Sequence, residues 1–330
     1  MADPIFGKGK YRFQVVDGFF KCPRDWSYIN ATDVAVDKDD NVYVFNRSPH
    51  PVQIFDKQGN FLDTWGEMGR HFGVPHGITI APNGDVLTAD TRDHTVRRWT
   101  KEGKLLLTLG TPYLNAPEQS GEPFNRPTHL AVASNGDYYA SDGYGNSHVH
   151  CFDPFGKLKF SWGGHGSAPG QFDSPHGIFI DYEDGDKLYV ADRENNRIQF
   201  FSLKGELLGQ WTGLHTPSSV QKGPDGNFYV SELTHRISIL DKKGVLLARW
   251  GDEVADECVD DRPVGGGLPT SPARNPMLRG RVVKEPGPGM FGTPHGMAVD
   301  SEGSFYVGEV CDQSRMDRGN RNVQKFVRVR

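Results

Sequence analysis

Residues 174–211 read SPHGIFIDYEDGDKLYVADRENNRIQFFSLKGELLGQW. An alternating stretch opens at His176 and runs through Ile178 and Ile180, and a second strand ends on Asp192. A third spans Asn196 to Phe200, and Gly205 then turns the chain into a fourth that closes on Trp211. Period-two alternation broken by tight polar turns describes four antiparallel strands in one small sheet. The same order recurs along the chain, and the first apolar residue of each unit gives the anchors Val34, Ile78, Leu130, Ile178, Val220 and Met297. Their spacings are 44, 52, 48, 42 and 77 residues. Units of roughly 40 to 50 residues are the size of propeller blades. The fold expected is therefore all-β: a single six-bladed β-propeller over residues 1–330, with little helix.

The sixth unit reaches only its third strand, Val323 to Val327, before the sequence ends at Arg330. Tyr11 to Phe19 alternates in the same way and has no blade of its own, so it is expected to supply the missing strand and close the ring. Closure removes the exposed sheet edges that an open array would leave. The 77-residue spacing places an insertion at 252–290, rich in Asp, Glu, Gly and Pro. It reads either as a lid over one mouth of the channel or as a solvated surface loop.

Composition narrows the class. The 330 residues carry 37 Lys and Arg against 42 Asp and Glu, a net charge of −5, which suits no phosphate-backbone binder. No nucleic-acid partner is expected. No apolar run approaches the ~18 residues of a membrane span, and the segment from Met1 to Lys10 lacks the apolar core of a secretory signal. No membrane partner and a cytoplasmic location are the corresponding expectations. Cys22, Cys151, Cys258 and Cys311 form no CxxC pair, so reduced thiols are expected rather than a disulfide framework or a thiolate metal site. The oligomeric state leaves no mark on the sequence.

Chemistry enters with three tripeptides. Pro75-His76-Gly77, Pro175-His176-Gly177 and Pro294-His295-Gly296 occupy the same position in the second, fourth and sixth units, just before the innermost strand. Alternate blades of a six-fold ring stand about 120° apart, so three equivalent inner-strand positions converge on the axis. Three imidazoles there form a trigonal set that leaves one coordination position open. Imidazole suits zinc, copper, iron or nickel, and an all-nitrogen set with an exchangeable fourth position favours Zn2+. The residues that follow the second strands, Arg47 and Arg193, and Tyr144 just beyond Asp142, point toward the same mouth. Arginine there can clamp a carboxylate, and a tyrosine near arginine and a cation can serve as a base. His129 and Asp33 stand one position after the histidine slot in the third and first units and read as hydrogen-bonding residues. The acidic series Asp90, Asp142, Asp192, Glu232 and Glu309 recurs too often for chemistry and reads as turn structure.

These residues carry a resemblance. The units look like NHL repeats. The Pro-His-Gly tripeptides, Ser-Asp-Gly-Tyr-Gly-Asn-Ser at 141–147 and Val-Ala-Asp-Arg-Glu-Asn-Asn-Arg-Ile-Gln at 190–199 resemble the peptidyl-α-hydroxyglycine α-amidating lyase family. The resemblance runs from about residue 30 to the end. It implies a catalytic zinc on His76, His176 and His295, a catalytic Tyr144, and active-site arginines at Arg47 and Arg193. It also implies an axial Ca2+ held partly by the backbone carbonyls of Val34 and Ile78, with a carboxylate after the last histidine, where this sequence has Gly296. Family disulfide positions fall on Gly145, Tyr189 and Phe200. The activity implied is a metal-dependent lyase that cleaves an N-acyl hemiaminal, a small-molecule substrate, into an amide and an aldehyde. Two other readings of the same residues stand beside it: a metal-dependent hydrolase or hydratase acting on a lactone, ester or nitrile, and a non-catalytic scaffold binding protein or RNA.

Overall fold

The computed structural model describes residues 4–26, 28–251, 287–310 and 319–329. Six antiparallel sheets surround one axis, and their order follows the sequence units. Blade 1 is built from Ala31–Val36, Val42–Asn46, Val52–Phe55 and Phe61–Trp65. Blade 2 runs from Pro75–Ile80 to Leu105–Leu109, blade 3 from His129–Val132 to Leu158–Gly163, and blade 4 from Pro175–Asp181 to Leu207–Trp211. Blade 5 runs from Pro217–Lys222 to Leu246–Gly251. Pro294–Val299, Phe305–Glu309 and Val323–Arg328 begin blade 6. The N-terminal strand Tyr11–Val16 completes blade 6, pairing antiparallel with Val323–Arg328 through Phe13↔Arg328 and Val15↔Phe326. The expected closure is thus present, and Ile5–Lys8 adds a fifth, outer strand to that sheet which the alternation had not signalled.

Each wedge between neighbouring blades holds its own apolar core. Between blades 1 and 2 it contains Phe45, Trp65, Phe72, Val86 and Trp99; between blades 5 and 6, Phe13, Tyr229, Trp250, Met297 and Phe305. The aromatic residue at the end of a fourth strand seats against the turn glycine of the next blade: a Cβ at Gly103 would lie 2.6 Å from Trp65, and one at Gly244 2.2 Å from Trp211. That contact explains why the repeat pairs a closing tryptophan with a turn glycine. Helical structure among the described residues is confined to short 3-10 turns at Tyr182–Asp184 and Gly319–Asn322.

The acidic series does what its repetition suggested. Asp90 accepts hydrogen bonds from the backbone N–H groups of Gly73, Val74, Arg92 and Asp93, and Asp142 accepts from that of Asn125. These buried carboxylates tie the loop that enters a blade to the end of its second strand. Cys22 and Cys151 carry free thiols, while Cys258 and Cys311 lie outside the described residues, as do residues 252–286 of the insertion read as either a lid or a surface loop. No helix among the described residues is long and apolar enough to cross a membrane.

Candidate metal centre

The innermost strand of blade 2 pairs Pro75 with Asp90 and Ile78 with Thr88, so His76 and Gly77 together face one residue of the neighbouring strand. Blades 4 and 6 repeat this bulge at His176-Gly177 and His295-Gly296. A bulge re-aims a side chain out of the regular pleat, and here it turns three imidazoles inward. Their ring centroids stand 4.6 to 4.8 Å apart, and each offers a ligand atom within 4.8 Å of the others. All three are buried.

Their orientation is fixed by neighbouring blades. Nδ1 of His76 meets the Thr128 carbonyl at 2.7 Å, Nδ1 of His176 the Ser218 carbonyl at 2.7 Å, and Nδ1 of His295 the Thr32 carbonyl at 2.6 Å. A carbonyl can only accept, so each Nδ1 carries the proton and each Nε2 presents a bare lone pair to the axis. Burial, followed by the neighbouring imidazoles and arginines, holds His76 and His176 well below the ordinary histidine range. Burial likewise pushes His295 down to about 3, against the support of its bond to Thr32. Three neutral imidazoles with converging lone pairs, each locked by a backbone carbonyl, fit a transition-metal ion of the kind that imidazole binds.

Tyr144 joins this cluster. Its hydroxyl lies 2.8 Å from Nε2 of His76 and 3.2 Å from Nε2 of His176. The loop that delivers it is tight on both sides: a Cβ at Gly143 would lie 2.1 Å from the Pro175 carbonyl oxygen, and one at Gly145 2.3 Å from the Asn125 side chain. Arg193 donates from Nη1 to the Tyr144 hydroxyl at 3.2 Å, sits 5.1 Å from the centre of its ring, and pairs through Nε with Glu194 at 2.8 Å. Burial opposes the Arg193 charge, but Glu194 and Tyr144 outweigh it, so its pKa is raised. Arg47 donates from Nε to the Pro75 carbonyl at 3.3 Å, and burial lowers its pKa. Thus His76, His176, His295, Tyr144 and Arg193 meet directly, with Arg47 anchored on the residue before His76.

The NHL repeat pattern matches residues 72–99, 124–152 and 172–201. NHL repeat-containing protein 3 of Homo sapiens is 31% identical over 226 residues, covering 63% of this chain and 64% of that protein. A probable peptidyl-α-hydroxyglycine α-amidating lyase of Caenorhabditis elegans is 32% identical over 187 residues, covering 56% of this chain and 51% of that protein. The chain carries NHL repeats and is similar to proteins named as amidating lyases. It spans less than two thirds of the length of either relative. Among solved structures, virginiamycin B lyase from Staphylococcus aureus shares the fold, with a TM-score of 0.55 at 14% identity over 90% of this chain and 82% of that one.

Within this NHL-repeat protein, the residues that sequence reasoning passed over are Thr32, Thr128 and Ser218. They fill, in blades 1, 3 and 5, the slot that histidine fills in blades 2, 4 and 6. Besides lending carbonyls to the imidazoles, Thr128 and Ser218 donate their hydroxyls to the carbonyls of His176 at 3.1 Å and His295 at 2.7 Å. A hydroxyl residue at the same slot in all three histidine-free blades was the available signal. His129 and Asp33, read as hydrogen-bonding residues, bond to each other: Nε2 of His129 lies 2.9 Å from Oδ2 of Asp33.

Proposed function

We propose that this protein is a metal-dependent carbon–nitrogen lyase that cleaves an N-acyl hemiaminal into an amide and an aldehyde. The observation that carries the reading is the convergence of three carbonyl-locked imidazole lone pairs on a tyrosine hydroxyl. His76, His176 and His295 would hold the ion, with zinc the first candidate, and a bound ion supplies Lewis-acid stabilisation of negative charge on a substrate oxygen.

The chain's own residues account for the proton. Tyr144, as phenolate, takes the hydroxyl proton of the hemiaminal. The electrons of that O–H bond become the C=O bond of the aldehyde as the C–N bond breaks, and the departing nitrogen takes the proton back from Tyr144 to complete the amide. No water is consumed. Arg193, donating to Tyr144 at 3.2 Å, holds the tyrosine oxygen in place for the transfer. The Nη groups of Arg47 have no partner among the described residues and suit a substrate carboxylate, as an N-acyl-α-hydroxyglycine would present. Relatives named as amidating lyases in Caenorhabditis elegans and Drosophila melanogaster support this choice of reaction.

The similarity to NHL repeat-containing protein 3, whose name states no reaction, favours a second reading as a binding scaffold. Product analysis separates the readings. Incubation with N-benzoyl-α-hydroxyglycine in 18O-water should release benzamide and glyoxylate, with no 18O entering the amide. A protein that instead hydrolyses esters, lactones or nitriles with 18O incorporation, or turns over nothing after zinc loading, would overturn the lyase reading.

A further inference from the structure

Next to the imidazole cluster on the inner strands lies a second buried polar set, and its chemistry differs. Asp33 and His129 are 3% and 5% exposed, so neither relies on solvent. Oδ1 of Asp33 accepts the N–H of Val34 at 2.9 Å, and Oδ2 accepts the N–H of Ile78 at 2.9 Å and Nε2–H of His129 at 2.9 Å. One carboxylate thereby joins the innermost strands of blades 1, 2 and 3. The other ring nitrogen of His129 has no partner among the described residues, so the ring's single hydrogen bond is the one to Asp33.

An axial calcium here would need six to eight oxygen ligands. Both oxygens of Asp33 instead face N–H donors. The position after the last histidine, where the resemblance implies a carboxylate ligand, is Gly296, and a Cβ there would meet Oδ1 of Asp33 at 2.0 Å. A Cβ at Gly77 would likewise fall 2.5 Å from the His129 ring. The two glycines therefore clear the space that the Asp33 and His129 side chains fill. The residues present do not fit calcium.

We propose that the Asp33–His129 pair is a built-in brace that takes the structural place of an axial cation, so that blades 1, 2 and 3 are tied together without calcium. Placement gives the brace a second consequence. Asp33 follows Thr32 and His129 follows Thr128, whose carbonyls orient His295 and His76. Fixing Asp33 to His129 fixes two of the three carbonyls that aim the imidazoles.

Full-length protein is passed over a chelating resin and melted with and without millimolar calcium chloride, and its calcium content is read by elemental analysis. The wild type should hold no stoichiometric calcium and melt at the same temperature in both buffers. Asp33→Asn and His129→Ala should each melt lower, to the same extent with and without calcium. A wild type that binds one calcium per chain, or whose melting temperature rises with calcium, overturns the proposal, as do variants that melt like the wild type or are restored by calcium. The wild-type measurement decides even where a variant fails to fold. No arm depends on the lyase reaction, so failure of that reading would leave the result interpretable.

Discussion

Blades 2, 4 and 6 and blades 1, 3 and 5 use one backbone position in opposite ways. In the even blades the slot at the start of the innermost strand holds histidine, and its side chain points to the axis. In the odd blades the slot holds Thr32, Thr128 or Ser218, and its carbonyl does the work, accepting the Nδ1 proton of the preceding blade's imidazole. A carbonyl is a residue-independent group fixed by the strand. The contrast teaches that the converging imidazoles are chosen by side chain and their aim by backbone, so substitutions at equivalent positions should differ sharply in effect.

The sharpest break is His176→Ala, which removes one of the three converging imidazoles. Bound transition metal, about one per chain in the zinc-loaded wild type, should fall to background by elemental analysis, and turnover should vanish with it. Retained stoichiometric metal would mean that the trigonal set is not the binding site. Next comes Tyr144→Phe, which keeps the ring but removes the hydroxyl between His76 and His176. Loss of a general acid–base group should lower turnover by about 10²–10⁴-fold with metal content unchanged.

A third test reads the even blades by pH in metal-stripped protein. The folded-state pKa values of the three ligand imidazoles lie below the ordinary ~6.5 of an unfolded histidine. As pH falls below that value, the unfolded chain binds protons that the folded chain refuses, so stability held above ~6.5 is lost on the way down toward ~3, the value to which His295 is pushed. Each imidazole should contribute a slope of about 1.4 kcal/mol per pH unit inside that window. Denaturant titrations between those limits check it, and a flat profile would contradict neutral, buried ligands.

The smallest effect belongs to the odd blades. Thr128→Val removes a hydroxyl donor to His176, but Ser141 still donates to the same carbonyl at 2.6 Å, and the Thr128 carbonyl still holds His76. The cost should be about 1 kcal/mol of stability with zinc affinity nearly unchanged. Zinc affinity falling as steeply as in a ligand variant would erase the distinction between the two kinds of blade.

Much of this was legible in the linear chain. Alternation and turn glycines are local signals, so four strands per unit, six units and closure by a strand within Tyr11 to Phe19 could be read without coordinates. The three histidines were legible because they recur at one register position in alternate units. The Asp33–His129 pair was not, since nothing in the chain marks a partner 96 residues away. Nor was the bulge at each histidine, because an extra residue shows only when two strands are laid side by side. Calcium on Val34 and Ile78 followed from resemblance alone, and the proposal of a brace in its place rests on N–H donors that only the folded chain brings to Asp33.

The sequence by itself determined the repeat, the ring and the identity of the side chains facing the axis, because periodicity and side-chain chemistry are written residue by residue. Only the tertiary structure decided which nitrogen of each imidazole faces inward, which hydroxyl stands among them, and what fills the axis beside them. Those outcomes rest on backbone carbonyls and N–H groups that every residue carries alike, and only the meeting of distant strands gives such groups a role.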